Sequence, residues 1–346
     1  MDALRLSTVL TQGDFQILPT FTVLICTHNR PDQLDRCLAS VDQLEYPHFD
    51  VLVVDSAPQD AAAFEVARRR GVRYMLEPVP GVSRARNVGG RACDTDIVAM
   101  LDDEALAFPG WLTGLAREFE DAEVMAVAGR IKDFDAHSDE EHLCAALAGS
   151  DCGEIRRVVD KSAPLWFERA CFGGVGNGGN LAFRRSAFDV WPGFCESLGA
   201  GSRIAGGEEH YAFFALVELG FRVVYAPQAV VRHPFPVTLQ AVRARQLKYL
   251  SASMAYIALL FVNQPRYRAR ILRYLVEAIR GVRRTWRGGA DVVAGRSHSR
   301  LLMLRAAGAG LFNFAMDRVD LAISRIGRTD TPRRAGSHNP VVNRRY

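Results

Sequence analysis

The sequence lacks the features that mark several large classes of protein. Its 7 cysteines are irregularly spaced and form no CxxC pair, which disfavours a structural zinc site and a disulfide framework. We therefore expect reduced thiols and a cytoplasmic setting. The longest nearly uninterrupted apolar run, residues 252–262, is too short to span about 30 Å of hydrocarbon as a helix. The first residues also lack the basic and apolar regions of a signal peptide.

Acidic residues are scarce in the last third of the chain. Residues 232–346 hold 22 Lys and Arg but 5 Asp and Glu, whereas residues 1–231 hold 21 and 34. The net charge of +4 therefore conceals an acidic front part and a strongly basic tail. Such a tail favours an anionic partner: lipid headgroups, nucleic acid or a phosphorylated substrate. Nucleic acid is not expected, because the sequence contains no helix-turn-helix, RRM or zinc pattern.

Apolar, β-branched runs alternate with helical spacing in the front part of the chain. Strands are predicted at residues 21–26, 50–55, 72–76 and 97–101, with a helix after each of the first three. This alternation predicts parallel β-α-β units in a doubly wound α/β sheet. No GxGxxG follows the first strand and no GxxxxGK[ST] occurs. A Rossmann dinucleotide site is therefore disfavoured, and a P-loop is excluded.

Polar side chains follow three of these strands, where doubly wound sheets bind their ligands. Thr27 follows the first strand, Asp55 ends the second, and three consecutive carboxylates follow the fourth. Adjacent carboxylates repel each other unless a cation neutralises them, and Mg²⁺ and Mn²⁺ prefer carboxylates together with substrate phosphates. Alternate residues of an extended segment face one side, so Asp102 and Glu104 can share a cation while Asp103 points elsewhere. The alternative is a solvated acidic turn.

Six short motifs succeed one another between Phe21 and His233: CTHNRP, VVDS, SRARN, LDDE, GGN and GGEE. In this order they resemble the family 2 glycosyltransferases. The resemblance implies the GT-A fold, a doubly wound mixed sheet, here followed by a helical, basic C-terminal extension. It also implies an inverting, single-displacement transfer from a nucleotide-diphosphate sugar, commonly a UDP- or dTDP-sugar. The expected acceptor is a hydroxyl of a glycan, a glycolipid or lipid-linked molecule, or a small metabolite, as in polysaccharide biosynthesis.

The resemblance also implies roles for individual residues. The expected nucleotide-sugar contacts are Thr27, Asn29, Arg30, Asp55, Arg84, Arg86, Asn87, Asp102 and Asp103. Asp102, Glu104 and His233 are the expected ligands of Mg²⁺ or Mn²⁺. Glu209 stands at the position of the general base, with Glu208 as its substitute. Gly179 and Asn180 are expected on the acceptor side.

The chemistry of the residues agrees with these roles. Inverting transfer needs a base for the acceptor hydroxyl and a Lewis acid for the leaving diphosphate. A carboxylate at a predicted helix N-terminus, such as Glu209, is well placed for the base, although it could instead only stabilise the helix dipole. Glu104 and Glu209 stand where the family usually has Asp, and Ala215 where it often has Arg. A catalytically degenerate, nucleotide-sugar-binding or scaffold relative is therefore the alternative. A nucleotidyltransferase is disfavoured, because it would need a glycine-rich basic loop after the first strand.

We predict four segments. They are a lead-in over 1–20, a catalytic domain over 21–236, a basic amphipathic helical region over 237–326 and a disordered tail over 327–346. The catalytic domain divides into a nucleotide-binding half, about 21–105, and an acceptor half, about 106–236.

The basic region contains a predicted amphipathic helix. Helical spacing over Ile271–Arg287 puts an apolar stripe opposite a row of arginines, which is typical of a helix on an anionic membrane surface. This predicts peripheral attachment to the inner face of the cell membrane. The alternative is a helical bundle packed on the catalytic domain. The sequence leaves the oligomeric state open.

Overall fold

The computed structural model describes residues 18–148, 150–279 and 300–329, and these form a mixed α/β structure. The strands are β1 (Phe21–Thr27), β2 (Phe49–Ser56), β3 (Arg73–Glu77), β4 (Ile97–Asp102), β5 (Leu106–Ala107), β6 (Val124–Asp133), β7 (Arg157–Val159), β8 (Asn180–Arg184) and β9 (Arg222–His233). The helices are α1 (Pro31–Val41), α2 (Ala62–Arg70), α3 (Val82–Ala92), α4 (Trp111–Glu118), α5 (Asp139–Ala148), α6 (Trp166–Cys171), α7 (Ala187–Val190), α8 (Glu208–Glu218), α9 (Leu239–Asn263), α10 (Arg268–Ile279) and α11 (Arg300–Thr329).

One mixed sheet organises the structure. Its strand order is β3-β2-β1-β4-β8-β6-β9-β5, and β7 also pairs with β9. The pairs β1–β2, β1–β4, β2–β3 and β6–β9 are parallel, whereas β8 runs antiparallel to both β4 and β6. The carboxyl ends of β1, β2, β4, β6 and β9 therefore lie along the same edge. The predicted doubly wound mixed sheet is confirmed.

The sheet is buried on both faces because its strands are apolar on both sides. In β1, Val23 and Ile25 pack with the helices α1, α2 and α4 on one face. Leu24, between them, packs on the other face with α3 and residues from α6 and α8. Side chains of a strand alternate between the two faces, so a continuous apolar run is what a two-sided sheet requires.

The short strand β5 closes the sheet at the edge where the acidic motif lies. After β4 the chain crosses this edge, and Leu106 of β5 pairs with Arg232 of β9. The crossing segment carries Asp103 and Glu104, and β9 ends at His233 one residue after its pairing with β5. The topology therefore brings two sequence-distant polar segments together.

The C-terminal helices share the core of the sheet domain. Tyr256 and Leu260 of α9 and Ile271 of α10 are buried in the cluster that includes α6 and α8, and Leu275 packs against it. Two residues of the predicted membrane-facing stripe, Ile271 and Leu275, thus face inward, which favours the alternative of packing on the catalytic domain for this part of the helix, whereas Ala278 is exposed. The helix is amphipathic because it covers the core. The rest of the stripe, residues 280–287, lies outside the described residues.

Other parts of the predicted ends also fall outside the structure's description. Residues 1–17 of the predicted lead-in and 330–346 of the predicted tail are not among the described residues. Within the described ranges, none of the helices combines the length and apolar character needed to cross a bilayer.

Candidate active site

The acidic motif after β4 divides into one inward and two outward carboxylates. Asp103 is buried, and its Oδ2 accepts a 2.8 Å hydrogen bond from the Thr27 hydroxyl. Burial raises the pKa of Asp103 to about 6, although the Thr27 hydrogen bond and the nearby Arg30 oppose the shift. Arg30 lies 3.3 Å from Asp103 and 3.1 Å from Glu104. Asp103 therefore ties the ends of β1 and β4 together, and Glu104 stands at the edge beside the Arg30 guanidinium.

His233 faces the other two carboxylates. Its Nε2 lies 3.7 Å from Oδ2 of Asp102 and 3.4 Å from Oε1 of Glu104. Its Nδ1 donates to the Pro234 carbonyl at 2.8 Å, which fixes the ring with Nε2 toward the acids. Burial opposes the charged imidazole, but the contact with Asp102 outweighs it and raises the pKa of His233. Burial alone would raise the pKa of Asp102. The contacts with His233 and Arg86 outweigh burial, so the pKa of Asp102 is lowered.

These three residues are chemically suited to Mg²⁺ or Mn²⁺ but do not form a complete ligand set. Within the described ranges, no group of three or more His, Cys, Asp or Glu side chains is arranged to hold a metal ion. Mg²⁺ is commonly bound by one or two carboxylates, with substrate phosphates and water completing its shell. The side chains of Asp102 and Glu104 are about one-third exposed, at 35% and 31%, so a cation could reach them.

A second pair of carboxylates begins α8. Gly207 precedes it with φ of 86°, a left-handed conformation that suits glycine. Burial raises the pKa of Glu208 to about 7; the adjacent Glu209 adds to the shift and Arg86 opposes it. Burial also raises the pKa of Glu209, against hydrogen bonds from backbone N–H groups. Carboxylates with raised pKa values are suited to accept a proton.

Arg86 connects the two acidic clusters. Its guanidinium is buried, with Nη1 3.0 Å from Oε1 of Glu208 and Nη2 3.2 Å from Oδ1 of Asp102. Nη2 also donates to the Gly178 carbonyl at 2.9 Å, and the guanidinium lies 5.6 Å from the ring centre of Phe194. The sequence suggested a nucleotide contact for Arg86. The structure places it as a bridge between the clusters, and the nucleotide contact stays a prediction.

The glycine-rich turn passes directly over these carboxylates. A Cβ on Gly179 would lie 2.8 Å from Oδ2 of Asp102, whereas one on Gly178 would lie 3.4 Å from Oε1 of Glu208. Asn180, which follows, is fully buried and makes three internal hydrogen bonds. Its Oδ1 accepts from the Trp111 indole, and its Nδ2 donates to two backbone carbonyls. Gly179 therefore borders the site, but Asn180 braces the sheet beneath it.

Two further predicted residues lie at the ends of β1 and β2. Asp55 is fully buried; its Oδ2 accepts a 2.9 Å hydrogen bond from the Tyr74 hydroxyl, and its Oδ1 has no partner among the described residues. Burial raises the pKa of Asp55, and the Tyr74 hydrogen bond opposes this. Asn29 has φ of 55°, and its Oδ1 accepts from the Gln59 backbone N–H. Both residues shape the same edge of the sheet.

Two predicted nucleotide contacts have other partners. Asn87 is buried, and its amide both donates to the carbonyl and accepts from the N–H of Phe194. This arrangement fixes the loop that carries Phe194. Arg84 forms an ion pair with Glu196. The structure therefore places Asn87 in loop support and Arg84 in contact with the same loop.

Tyr74 is a site residue that the sequence analysis missed. It lies on β3, whose parallel register pairs Leu76 with Asp55, and its hydroxyl reaches back to the Asp55 carboxylate. The signal was present, because two parallel neighbouring strands were predicted and residues two apart share a face. Tyr74 limits how the Asp55 side chain can turn.

Comparison with known proteins agrees with this geometry. The model of the family described as "Glycosyl transferase family 2" matches residues 22–191. The pre-mycofactocin glycosyltransferase of Mycobacterium tuberculosis H37Rv is 30% identical over 234 residues, covering 66% of this chain and 45% of that protein. The N-acetylglucosaminyltransferase of Rhizobium meliloti is 26% identical over 245 residues, covering 67% of this chain and 55% of that protein. The chain thus spans about half the length of these curated relatives.

A solved structure supports the fold. The mannosyltransferase PcManGT from Pyrobaculum calidifontis, solved with GDP-Man and Mn²⁺, superposes with a TM-score of 0.54 at 16% identity. The match covers 91% of this chain and 81% of that one. At this identity the likeness concerns the fold. Together with the family match, it confirms the resemblance: residues 22–191 belong to glycosyl transferase family 2, and the structure has the GT-A fold.

Proposed function

We propose that this chain transfers a sugar from a nucleotide-diphosphate donor to a hydroxyl acceptor, with inversion and with a divalent cation. One observation carries the proposal. Nη2 of the buried Arg86 lies 3.2 Å from Asp102, in the acidic cluster after β4. Its Nη1 lies 3.0 Å from Glu208, in the acidic cluster that begins α8. This geometry supports a site for the leaving diphosphate beside a site for a proton acceptor.

The nucleotide is proposed to lie over the ends of β1 and β2. Asp55 Oδ1 is an acceptor without a partner among the described residues, and the imide N–H of uracil or thymine is a donor that suits it. This supports a UDP- or dTDP-sugar. Asn29, beside it, is held in a left-handed turn that shapes the pocket. PcManGT was solved in complex with GDP-Man, so a guanine nucleotide belongs in the test.

The diphosphate is proposed to lie at the outward carboxylates. A bound Mg²⁺ or Mn²⁺ would neutralise the charge that develops on the leaving diphosphate. Asp102 and Glu104 would hold this cation, and His233 would orient Asp102 through its Nε2 or complete the cation's shell. Arg30 stays beside Glu104 and adds a second positive charge.

Glu209 is proposed as the general base. Glu208 is engaged by Arg86 at 3.0 Å, which leaves Glu209 the better placed of the two to accept a proton. Glu208 is buried and the Glu209 side chain is only 13% exposed, which limits competition from bulk water as a proton donor. The acceptor is a hydroxyl of a glycan, a lipid-linked molecule or a small metabolite, and its approach would be past Gly179.

Thermal unfolding with a panel of UDP-, dTDP- and GDP-sugars, each with and without Mn²⁺, tests donor binding. At about 100 times its dissociation constant, a true donor adds about 2.7 kcal/mol to the free energy of unfolding. We expect stabilisation by one nucleotide class, larger with Mn²⁺. If no nucleotide stabilises the folded protein under either condition, the proposal fails.

A catalytically degenerate binding protein is the second candidate. It is favoured by the bridging of Arg86, whose two terminal nitrogens already contact Asp102, Glu208 and Gly178. The release of nucleoside diphosphate from the stabilising donor separates the two candidates. Metal-dependent release supports the transferase, whereas binding without any release over many hours supports the degenerate protein.

A further inference from the structure

Helix α11 carries an apolar stripe on the side that faces away from the rest of the structure. We call this the outward stripe; it consists of Leu301, Leu304, Leu311, Phe312 and Val319. These side chains are between 47% and 71% exposed. At about 100° per residue all five fall within one arc of the helix, and the exposed residues Gly308 and Ala315 fall in the same arc. The stripe therefore runs along the helix as a continuous face.

The opposite face of α11 is the one that packs on the protein. Gly310 is buried where the helix crosses Ser251 of α9, since a Cβ there would collide with the Ser251 carbonyl. Phe314 packs against the main core cluster, and Asp317 is 7% exposed. The packing of its inner face thus sets the orientation of α11, and the apolar residues on its outer face remain exposed. A large exposed apolar patch marks an interaction surface.

The charges of α11 are sorted in the same way. Arg305 and Arg318 are exposed and flank the outward stripe on its two sides. The acidic residues turn away from it: Asp317 is buried on the inner face, and Asp320 forms an ion pair with Arg203. The stripe is therefore apolar with basic edges. This is the composition of helices that lie in the plane of an anionic membrane surface.

We propose that α11 docks this protein on an anionic lipid surface through the outward stripe. The stripe spans residues 301–319, about 27 Å at 1.5 Å per residue, so it would lie flat in the interface with its arginines at the headgroups. A second copy of the chain fits the same face poorly. Residues 232–346 hold 22 basic and 5 acidic residues, so two such regions would repel each other, whereas an anionic surface attracts them.

Vesicle co-sedimentation of the full chain tests the proposal. The probes are phosphatidylcholine vesicles with and without phosphatidylglycerol. The wild type should bind the anionic vesicles and leave the neutral ones largely free. Leu304→Ser with Phe312→Ser should weaken binding about tenfold or more, because both side chains would leave the lipid interface. Arg305→Gln and Arg318→Gln should each weaken it about fivefold, and added salt should diminish that difference.

Ile155→Ser is the matched control. Ile155 is 76% exposed, more than any residue of the outward stripe, but it lies in a loop beside Glu154 and is not part of α11. This variant should bind vesicles as the wild type does. The α11 variants alter side chains that are largely exposed, so their thermal unfolding should match that of the wild type. A lost fold therefore cannot be mistaken for lost docking.

Three results would overturn the proposal. If the wild type binds both kinds of vesicle equally, the surface is not selected by its negative charge. If it binds neither kind, the partner is not a lipid surface. If the Leu304→Ser, Phe312→Ser variant binds vesicles as the wild type does, the outward stripe is not the lipid contact. If the wild type binds no vesicle and sediments as a dimer that this variant dissociates, the outward stripe belongs to a second copy of the chain.

Discussion

The two acidic clusters of the site contain the same chemical groups in opposite electrostatic surroundings. At the end of β4, Asp102 has both His233 and Arg86 beside it, and its pKa is lowered. At the start of α8, burial is the dominant influence, and the pKa of Glu208 is raised to about 7 against the opposing charge of Arg86. The first cluster keeps its charge and suits a cation. The second readily holds a proton and suits acid–base chemistry.

The comparison shows that surroundings rather than residue type separate the two proposed roles. Both clusters contact the one buried guanidinium of Arg86, with Asp102 at Nη2 and Glu208 at Nη1. The difference comes from what else is present: a histidine from β9 on one side, and a second glutamate within the same helix turn on the other. Variants that alter one cluster should therefore leave the function of the other largely intact.

The largest expected effect is on the proton acceptor. Glu209→Gln should reduce sugar transfer by about 10²-fold or more, because the acceptor hydroxyl loses its proposed base. Donor binding should stay within about twofold of the wild type, since the acidic cluster at the end of β4 is unchanged. Initial rates of nucleoside diphosphate release and calorimetric donor binding measure the two quantities separately.

Two companion variants define this result. Glu218→Gln makes the same change of charge at the far end of α8, and this variant should retain full activity. Glu208→Gln distinguishes the two glutamates of the pair. If Glu209→Gln is fully active and Glu208→Gln is not, the base is Glu208.

The next effect is on pH-dependent stability. Because the pKa of Glu208 is raised to about 7 from an ordinary value of 4.5, the folded state keeps a proton that the unfolded chain loses first. This contribution is fully present below about pH 4.5 and is lost as the pH rises through about 7. Glu208→Gln should remove it, making the free energy of unfolding less dependent on pH by about 3 kcal/mol over this range. Urea titrations at a series of pH values measure this free energy. If it depends on pH equally in the variant and the wild type, the raised pKa of Glu208 is contradicted.

The smallest effect separates the clusters through the glycine turn between them. Gly179→Ala should push against Asp102, because its Cβ would lie 2.8 Å from Oδ2, and should weaken metal-dependent nucleotide binding about tenfold. Gly178→Ala, whose Cβ would lie 3.4 Å from Glu208, should change nucleotide binding much less. Equal losses in calorimetry would mean that the turn acts as a unit and does not distinguish the clusters.

Much of the fold could be predicted from sequence because its signals are local. The apolar runs and intervening helical spacing predicted the strands of the front half, and the order of six short motifs predicted the family, which is confirmed. The helix predicted after the first strand, α1, begins at Pro31, because proline is favoured in the first turn of a helix.

The site contacts were harder to predict because they join distant segments. Arg86 meets Asp102 and Glu208 only when β4, α3 and α8 are assembled, so its motif could not reveal its partners. Asn180 belongs to a motif expected on the acceptor side, yet a neighbouring indole and two carbonyls occupy its amide. Periodicity likewise identified the apolar face of α10 but not the core surface that covers it.

The most direct test of the account is calorimetric titration of the stabilising nucleoside diphosphate in Mn²⁺ and in excess EDTA. The wild type should lose about tenfold or more in affinity without metal, and Asp102→Asn should show the weaker affinity in both conditions. Asp94→Asn, an exposed acid before β4, is the charge-matched control and should behave as the wild type. If Asp102→Asn keeps the full response to Mn²⁺, the cation is not held at the end of β4, and the proposed division of labour between the two clusters is wrong.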